Sequence, residues 1–280
     1  MIFCINGKFV PANQAKVSVL DNGFLYGDGF YDTSRVYDGV VFELESHLKR
    51  IASSAQKMAL VFPWPMKTVG RWIQTVVTKN RLQDAKVRVT VTRGFHGTEF
   101  GLEHRPTLVI TCARVRMDRE VSKKGVAAAF VRAERTWPEI KTIGLTGRML
   151  AARSALPHGA EEVICLGEKN RVREGAFTNV FLVKNGRLLT PKIGRILPGL
   201  TRHRVLALAR TAGLPVAVRD LPKSALFHAD EIFLTNRVRE IIPVVRLNGK
   251  KVGSGKPGPV TKKLLGTYRE YVRKYVERHR

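Results

Sequence analysis

Three short stretches hold residue types that could act together on one ligand. In "WPEIKTIGLTGRML", residues 137–150, a single lysine, Lys141, follows a Pro turn and sits among Ile140, Ile143 and Leu145. An amine held partly out of water loses its proton more easily and becomes a nucleophile and base. In "VREGAFTNVFLV", Glu174 precedes the small pair Gly175-Ala176 and an apolar strand. A carboxylate entering a buried strand needs a partner. In "RILPGLTRHRVLALARTAG", Pro198-Gly199 stops one segment, Thr201 can cap, and an amphipathic helix follows. The amides of Leu200 and Thr201 at such a helix start suit a phosphate. Taken alone, each has an ordinary reading: a lysine with its head in water, a strand-end glutamate paired with Arg171 or Arg173, and a well-capped helix. Together they supply what pyridoxal 5′-phosphate requires: an amine for its aldehyde, a carboxylate for its ring nitrogen and a helix start for its phosphate.

The elements that must position these residues can be read from periodicity. "FCINGKFVPANQAKVSVLD" opens on a strand pair about an Asn6-Gly7 turn. "LESHLKRIASSAQKMAL" places Leu44, Leu48, Ile51 and Ala55 on one helical face, and "KTVGRWIQTVVTKN" forms a second helix. "AKVRVTVTRG" and "PTLVITCARV" read as strands. This predicts an α+β domain over 1–115, and the charged "RMDREVSKKG" predicts an exposed linker over 116–124. A larger α+β domain over 125–280 is then expected to carry Lys141, with a helix near 145–156, a strand meander about Asn185-Gly186 and a C-terminal amphipathic helix ending in "TYREYVRKYVERHR".

Composition bounds the function more weakly. Of 280 residues, 44% are hydrophobic, as in globular proteins, and no apolar run is long enough to span a membrane. The first residues lack the pattern of a signal peptide, and Cys4, Cys112 and Cys165 are scattered without metal spacing. A cytoplasmic protein with reduced thiols and no metal is expected. The net charge of +26 would attract anions, yet the basic residues are spread along the chain rather than gathered in one tail. This distribution does not point to a dedicated nucleic-acid site.

The order of motifs resembles the class IV aminotransferases, the fold-type IV pyridoxal-phosphate enzymes, over nearly the whole chain. "VSVLDNGFLYGDGFYDTSRVYDG", "LESHLKRI", "EIKTIGL", "EEVICLGEKNRVREGAFTNVFLVKNGRLLTP", "LPGLTR" and "ADEIFLTNRVREIIPV" carry the likeness. The resemblance implies a two-domain α+β fold with the cofactor in the interdomain cleft, and a homodimer. It implies that Lys141 binds the cofactor covalently and moves the proton, that Glu174 pairs with the ring nitrogen, and that Arg50 binds phosphate with the Leu200 and Thr201 amides. It also implies that Leu197 packs against the ring, that Thr235, Asn236 and Arg237 lie at the cofactor, and that Tyr31 is near the substrate. Arg237 departs from the family, which usually has a small Ser or Thr at that position. Thr146 stands where branched-chain enzymes often have Tyr.

Within the family, "YDTSRVYDG" is nearest to the aminodeoxychorismate lyases at Thr33 and shares Arg35 with both lyases and branched-chain enzymes. The loop "RGFHGTEFGLEHRP" offers Arg93, His104 and Arg105 as a carboxylate clamp. The reading favoured is an aminotransferase acting on branched-chain or other apolar L-amino acids and a 2-oxo acid such as 2-oxoglutarate. Aminodeoxychorismate lyase and D-amino acid transaminase are the alternatives.

Overall fold

The computed structural model describes residues 1–95, 105–117, 119–156 and 159–280. The chain divides into two compact units. One contains Met1–Arg116, Ile140–Gly144 and Lys274–Arg280; the other contains Met117–Glu139 and Leu145–Arg273.

The first unit is built from β1 (Ile2–Ile5), β2 (Lys8–Pro11), α1 (Asn22–Leu25), β3 (Gly29–Tyr37), β4 (Val40–Val41), α2 (Leu44–Lys57), α3 (Met66–Lys79), β5 (Ala85–Phe95) and β6 (Arg105–Arg114). The strands form one antiparallel sheet in the order β2-β1-β6-β5-β3-β4. Asn6 and Gly7 both take positive φ, which lets the β1–β2 turn follow the twist of its strands. Every second residue of β5 is buried, from Ala85 to Val91, so one sheet face is apolar. Helices α2 and α3 cover it, burying Ile51 and Ala55 from one and Val69, Ile73, Val76 and Val77 from the other.

The second unit contains α4 (Arg119–Lys124), β7 (Val126–Arg132), α5 (Thr146–Ala155), β8 (Glu162–Leu166), β9 (Val172–Gly175), β10 (Asn179–Lys184), β11 (Arg187–Thr190) and α6 (Leu200–Thr211). After these come β12 (Val216–Val218), α7 (Lys223–Phe227), β13 (Glu231–Asn236), β14 (Glu240–Leu247), β15 (Lys250–Lys251) and α8 (Pro259–His279). Its mixed sheet runs β12-β11-β10-β13-β14-β7-β8-β9, with β15 on β14. Because β9 also pairs with β10, the central strands close on themselves. The meander strand β10 is buried from Asn179 to Val183, which explains its near-continuous apolar run.

Two details differ from the expected organisation. The presumed linker contains the helix α4. Lys141, expected in the second domain, lies on a segment hydrogen-bonded to β3 of the first unit, with Tyr31 N–H donating to Lys141 O (2.8 Å) and Ile143 N–H to Gly29 O (3.0 Å). Backbone pairing, not chain order, decides where that segment sits.

Candidate active site

In the first unit, the residues around Lys141 are set by strand register. Thr142 bridges to Phe30 and holds Lys141 beside Tyr31. The Lys141 Nζ lies 4.6 Å from the centroid of the Tyr31 ring, and the Arg88 guanidinium lies 3.7 Å from the same centroid. Across the β3–β5 pair Tyr31 faces Thr90 and Thr33 faces Arg88, so Tyr31, Thr33 and Arg88 share one face of the sheet. Arg88 donates from Nε to Thr90 Oγ1 (3.1 Å), and its burial holds its pKa below the usual arginine value. Sequence reasoning missed Arg88 because period-2 alternation marks it only as a polar position on a strand.

The opposite face of β3 carries Asp32, which is 3% exposed. Its carboxylate takes Arg50 Nε at Oδ2 (2.7 Å), and Arg50 Nη2 (3.0 Å) and His47 Nδ1 (2.6 Å) at Oδ1. Burial pushes the Asp32 carboxyl up, but Arg50 and His47 together outweigh that and hold it far below the ordinary range. Arg50 is thus ordered at the side of α2 that meets β3.

In the second unit, Glu174 at the end of β9 is buried and fully engaged. Its Oε1 accepts from Arg135 Nε (2.5 Å) and Arg148 Nη1 (2.9 Å), and its Oε2 from Leu197 N–H (3.0 Å) and Asn179 Nδ2 (3.3 Å). Arg148 also donates to the carbonyl of Gly175. The partners are therefore Arg135 and Arg148, not Arg171 or Arg173, and Arg173 is paired instead with Glu134 (2.6 Å). Leu197 is buried, and its carbonyl accepts from Asn179 Nδ2 (2.9 Å).

Register then links Glu174 to the start of α6. Asn179 faces Glu174 on one side and Thr235 on the other. With strands about 4.8 Å apart, Glu174 and Thr235 lie on one row about 10 Å apart, a span suited to a flat ring bearing a phosphate. Helix α6 packs on β13 and begins at Leu200 after Gly199, with no side chain capping its amides. Thr201 does not cap the helix as expected, since it lies inside the first turn. Gly199 is required for close approach, because a Cβ there would lie 2.0 Å from Asn179 Oδ1. The hydroxyls of Thr201 and Thr235 are buried without a hydrogen-bond partner among the described residues. Together with the uncapped α6 amides and the buried Arg237, they fit a phosphate ester. Asn236 Oδ1 accepts the N–H groups of Val238 (3.0 Å) and Arg239 (2.7 Å), ordering the turn beyond β13.

Two residues expected at the substrate are held by partners within the first unit. Arg35 is fully buried, with Nη2 on Asp84 (3.0 Å), Nη1 on the Ala85 carbonyl (3.2 Å) and its guanidinium over the Tyr37 ring; it braces β3. Arg93 spends Nε on Asp28 (2.6 Å), Nη2 on Met58 O (2.9 Å) and Nη1 on Ala59 O (3.4 Å), tying β5 to the end of α2. Arg105 is exposed at the start of β6, and His104 lies outside the described residues. No group of His, Cys, Asp and Glu able to hold a metal occurs among the described residues.

Comparison with known proteins gives the family. The family model "Amino-transferase class IV" matches residues 29–247. A putative branched-chain-amino-acid aminotransferase of Methanocaldococcus jannaschii is 36% identical over 276 residues, covering 95% of this chain and 94% of that protein. The D-alanine aminotransferase of Staphylococcus haemolyticus is 30% identical over 274 residues, covering 96% of each. Among solved structures, the T.th. branched-chain amino acid aminotransferase complexed with N-(5′-phosphopyridoxyl)-L-glutamate has a TM-score of 0.90 at 26% identity, covering 98% of this chain and 94% of that one. By this family match and these relatives, the chain is a member of the class IV aminotransferase family, an α+β transaminase whose cofactor is pyridoxal 5′-phosphate.

Proposed function

We propose that the chain transfers an amino group between a branched-chain or other apolar L-amino acid and a 2-oxo acid such as 2-oxoglutarate. The observation that carries this reading is the pairing of the Tyr31 ring with the Arg88 guanidinium 3.7 Å from its centroid, beside the segment that holds Lys141. An aromatic surface accepts an apolar side chain, and a desolvated guanidinium beside it accepts the distal carboxylate of a dicarboxylic partner. Similarity to the Methanocaldococcus protein supports the same substrates.

When bound, pyridoxal phosphate supplies an electron sink that makes the Cα–H of an attached amino acid acidic. In our reading Lys141 Nζ would hold the cofactor covalently and would be the base that takes up the substrate's Cα proton. Glu174 would accept the ring N–H in place of the long Asn179 Nδ2 contact (3.3 Å) at Oε2, with Arg135 and Arg148 keeping its carboxylate in place. Leu197 would pack against the ring. The phosphate would be held by the Leu200 and Thr201 amides and the hydroxyls of Thr201 and Thr235, with Asn236 and Arg237 at the turn beyond β13, and Arg50 would supply a further guanidinium. Thr33 lies on the substrate face with Tyr31.

The molecule acts as a cytoplasmic homodimer in this reading. Among the described residues no helix is long and apolar enough to cross a membrane. A D-amino acid transaminase is the second reading, favoured by the Staphylococcus relative; aminodeoxychorismate lyase is the third. Assaying the purified protein with L-leucine, D-alanine and aminodeoxychorismate separates them. Turnover of L-leucine with 2-oxoglutarate is expected, and preference for either other substrate overturns the assignment.

A further inference from the structure

We propose that Asp32 and His47 are positioning residues that fix the grip of Arg50 on the cofactor phosphate, an inference that rests on the reading of Arg50 as a phosphate ligand. Asp32 takes Nε and Nη2 of Arg50 in a side-on fork, which sets both the plane and the direction of the guanidinium and turns Nη1 away from the carboxylate. His47 stands one helical turn before Arg50 on α2, so both side chains reach β3 from one helix face. His47 Nδ1 donates to Oδ1, the same oxygen that takes Arg50 Nη2, and so pins the carboxylate against rotation.

The burial of this group argues for orientation rather than for stability alone. Asp32 is 3% exposed and the Arg50 side chain 14%. A buried ion pair is often no more stabilising than apolar side chains of the same volume. Apart from the small Ser34, the rest of this sheet face is apolar, with Phe30 and Val36 along β3 and Val87, Val89 and Val91 on β5. A three-part polar network kept there is accounted for by what it aims. Its effect on phosphate affinity has two possible signs: a carboxylate that orients the guanidinium strengthens binding, and one that merely neutralises it weakens binding.

The test compares pyridoxal 5′-phosphate with pyridoxal, which lacks the phosphate, in titrations of apoprotein followed by absorbance. The readout is the ratio of the two dissociation constants, which a general loss of folding does not change. Arg50→Gln is expected to collapse the preference for the phosphorylated form. Asp32→Asn is expected to reduce it about tenfold, the scale of losing a hydrogen bond between charged groups, with Asp32→Glu restoring part of it. His47→Gln, which leaves the Asp32–Arg50 fork in place, is expected to give a smaller reduction and serves as the readout if Asp32→Asn does not fold. Asp84→Asn removes a carboxylate from another arginine of the same sheet and is expected to leave the ratio unchanged. If Arg50→Gln collapses the ratio while Asp32→Asn and His47→Gln keep or raise it, the positioning role is overturned and the phosphate reading stands. If Arg50→Gln leaves the ratio intact, the phosphate reading itself fails and the inference with it.

Discussion

At the scale of single residues, the account turns on charges kept out of water with partners. Glu174 holds two guanidiniums and two further donors. Glu174→Gln leaves Arg135 and Arg148 buried without their counter-charge, so we expect a stability loss of about 3 kcal/mol or more, read by denaturant unfolding. Turnover should fall roughly a hundredfold or more, as when a positioned charge-stabilising group is lost, while covalent attachment at Lys141 persists. Arg88→Ala should raise KM for 2-oxoglutarate about tenfold or more, since hydrogen bonds to charged groups are worth about 1.5–3 kcal/mol, with KM for L-leucine little changed. An equal rise for both substrates would contradict the role given to Arg88. The pH dependence follows from Asp32. Its carboxyl is depressed in the folded state, so its stabilisation is present above the unfolded value of about 3.9 and is lost as pH falls below it. Asp32→Asn should therefore flatten the acid limb of the stability curve between about pH 5 and 2; an unchanged acid limb would show that the pair adds nothing.

At the scale of elements, α2 depends on a residue more than two hundred positions away. Its N-cap, Glu43, has a positive φ and no side-chain cap. The Tyr275 hydroxyl receives the backbone N–H groups of Glu43 and Leu44 instead, and its ring meets Phe42 edge-on at 5.0 Å. Burial raises the Tyr275 pKa, with those two N–H bonds pulling the other way. Tyr275→Phe should cost about 1 kcal/mol, the usual value of a helix cap, measured as a lower Tm; no shift would mean that the cap is not used. The helices and strands themselves were legible, because Ile51, Ala55, Val69, Ile73 and the alternating valines of β5 repeat at helical and strand periods. Lys141 and Glu174 stand out in the sequence through their small and apolar neighbours. What could not be read were pairings between distant positions: Arg135 and Arg148 on Glu174, Asp32 on Arg50, Tyr275 on α2. None lies at a helical or strand spacing from its partner. For the same reason Arg35 and Arg93 look available in sequence and are spent on Asp84 and Asp28 in the structure.

At the scale of the whole molecule, the net charge of +26 is the feature that the chemistry uses least. Part of it is answered locally, as where Arg269 meets Glu240 (2.8 Å), Arg280 meets Asp38 (3.0 Å) and Arg273 meets Glu270 (2.6 Å) along and beyond α8. The rest suits a general attraction for dicarboxylic substrates. Duplex DNA should accordingly bind weakly, without the steep salt dependence of a dedicated nucleic-acid surface; a steep slope in a salt titration would give the charge another purpose. Most directly tested is the claim that Lys141 carries the cofactor. The purified protein, reduced with borohydride and digested, should lose its absorbance at the edge of the visible range and yield a phosphopyridoxyl mass on the peptide containing Lys141. A label on any other lysine, or none on protein saturated with pyridoxal 5′-phosphate, would contradict the account.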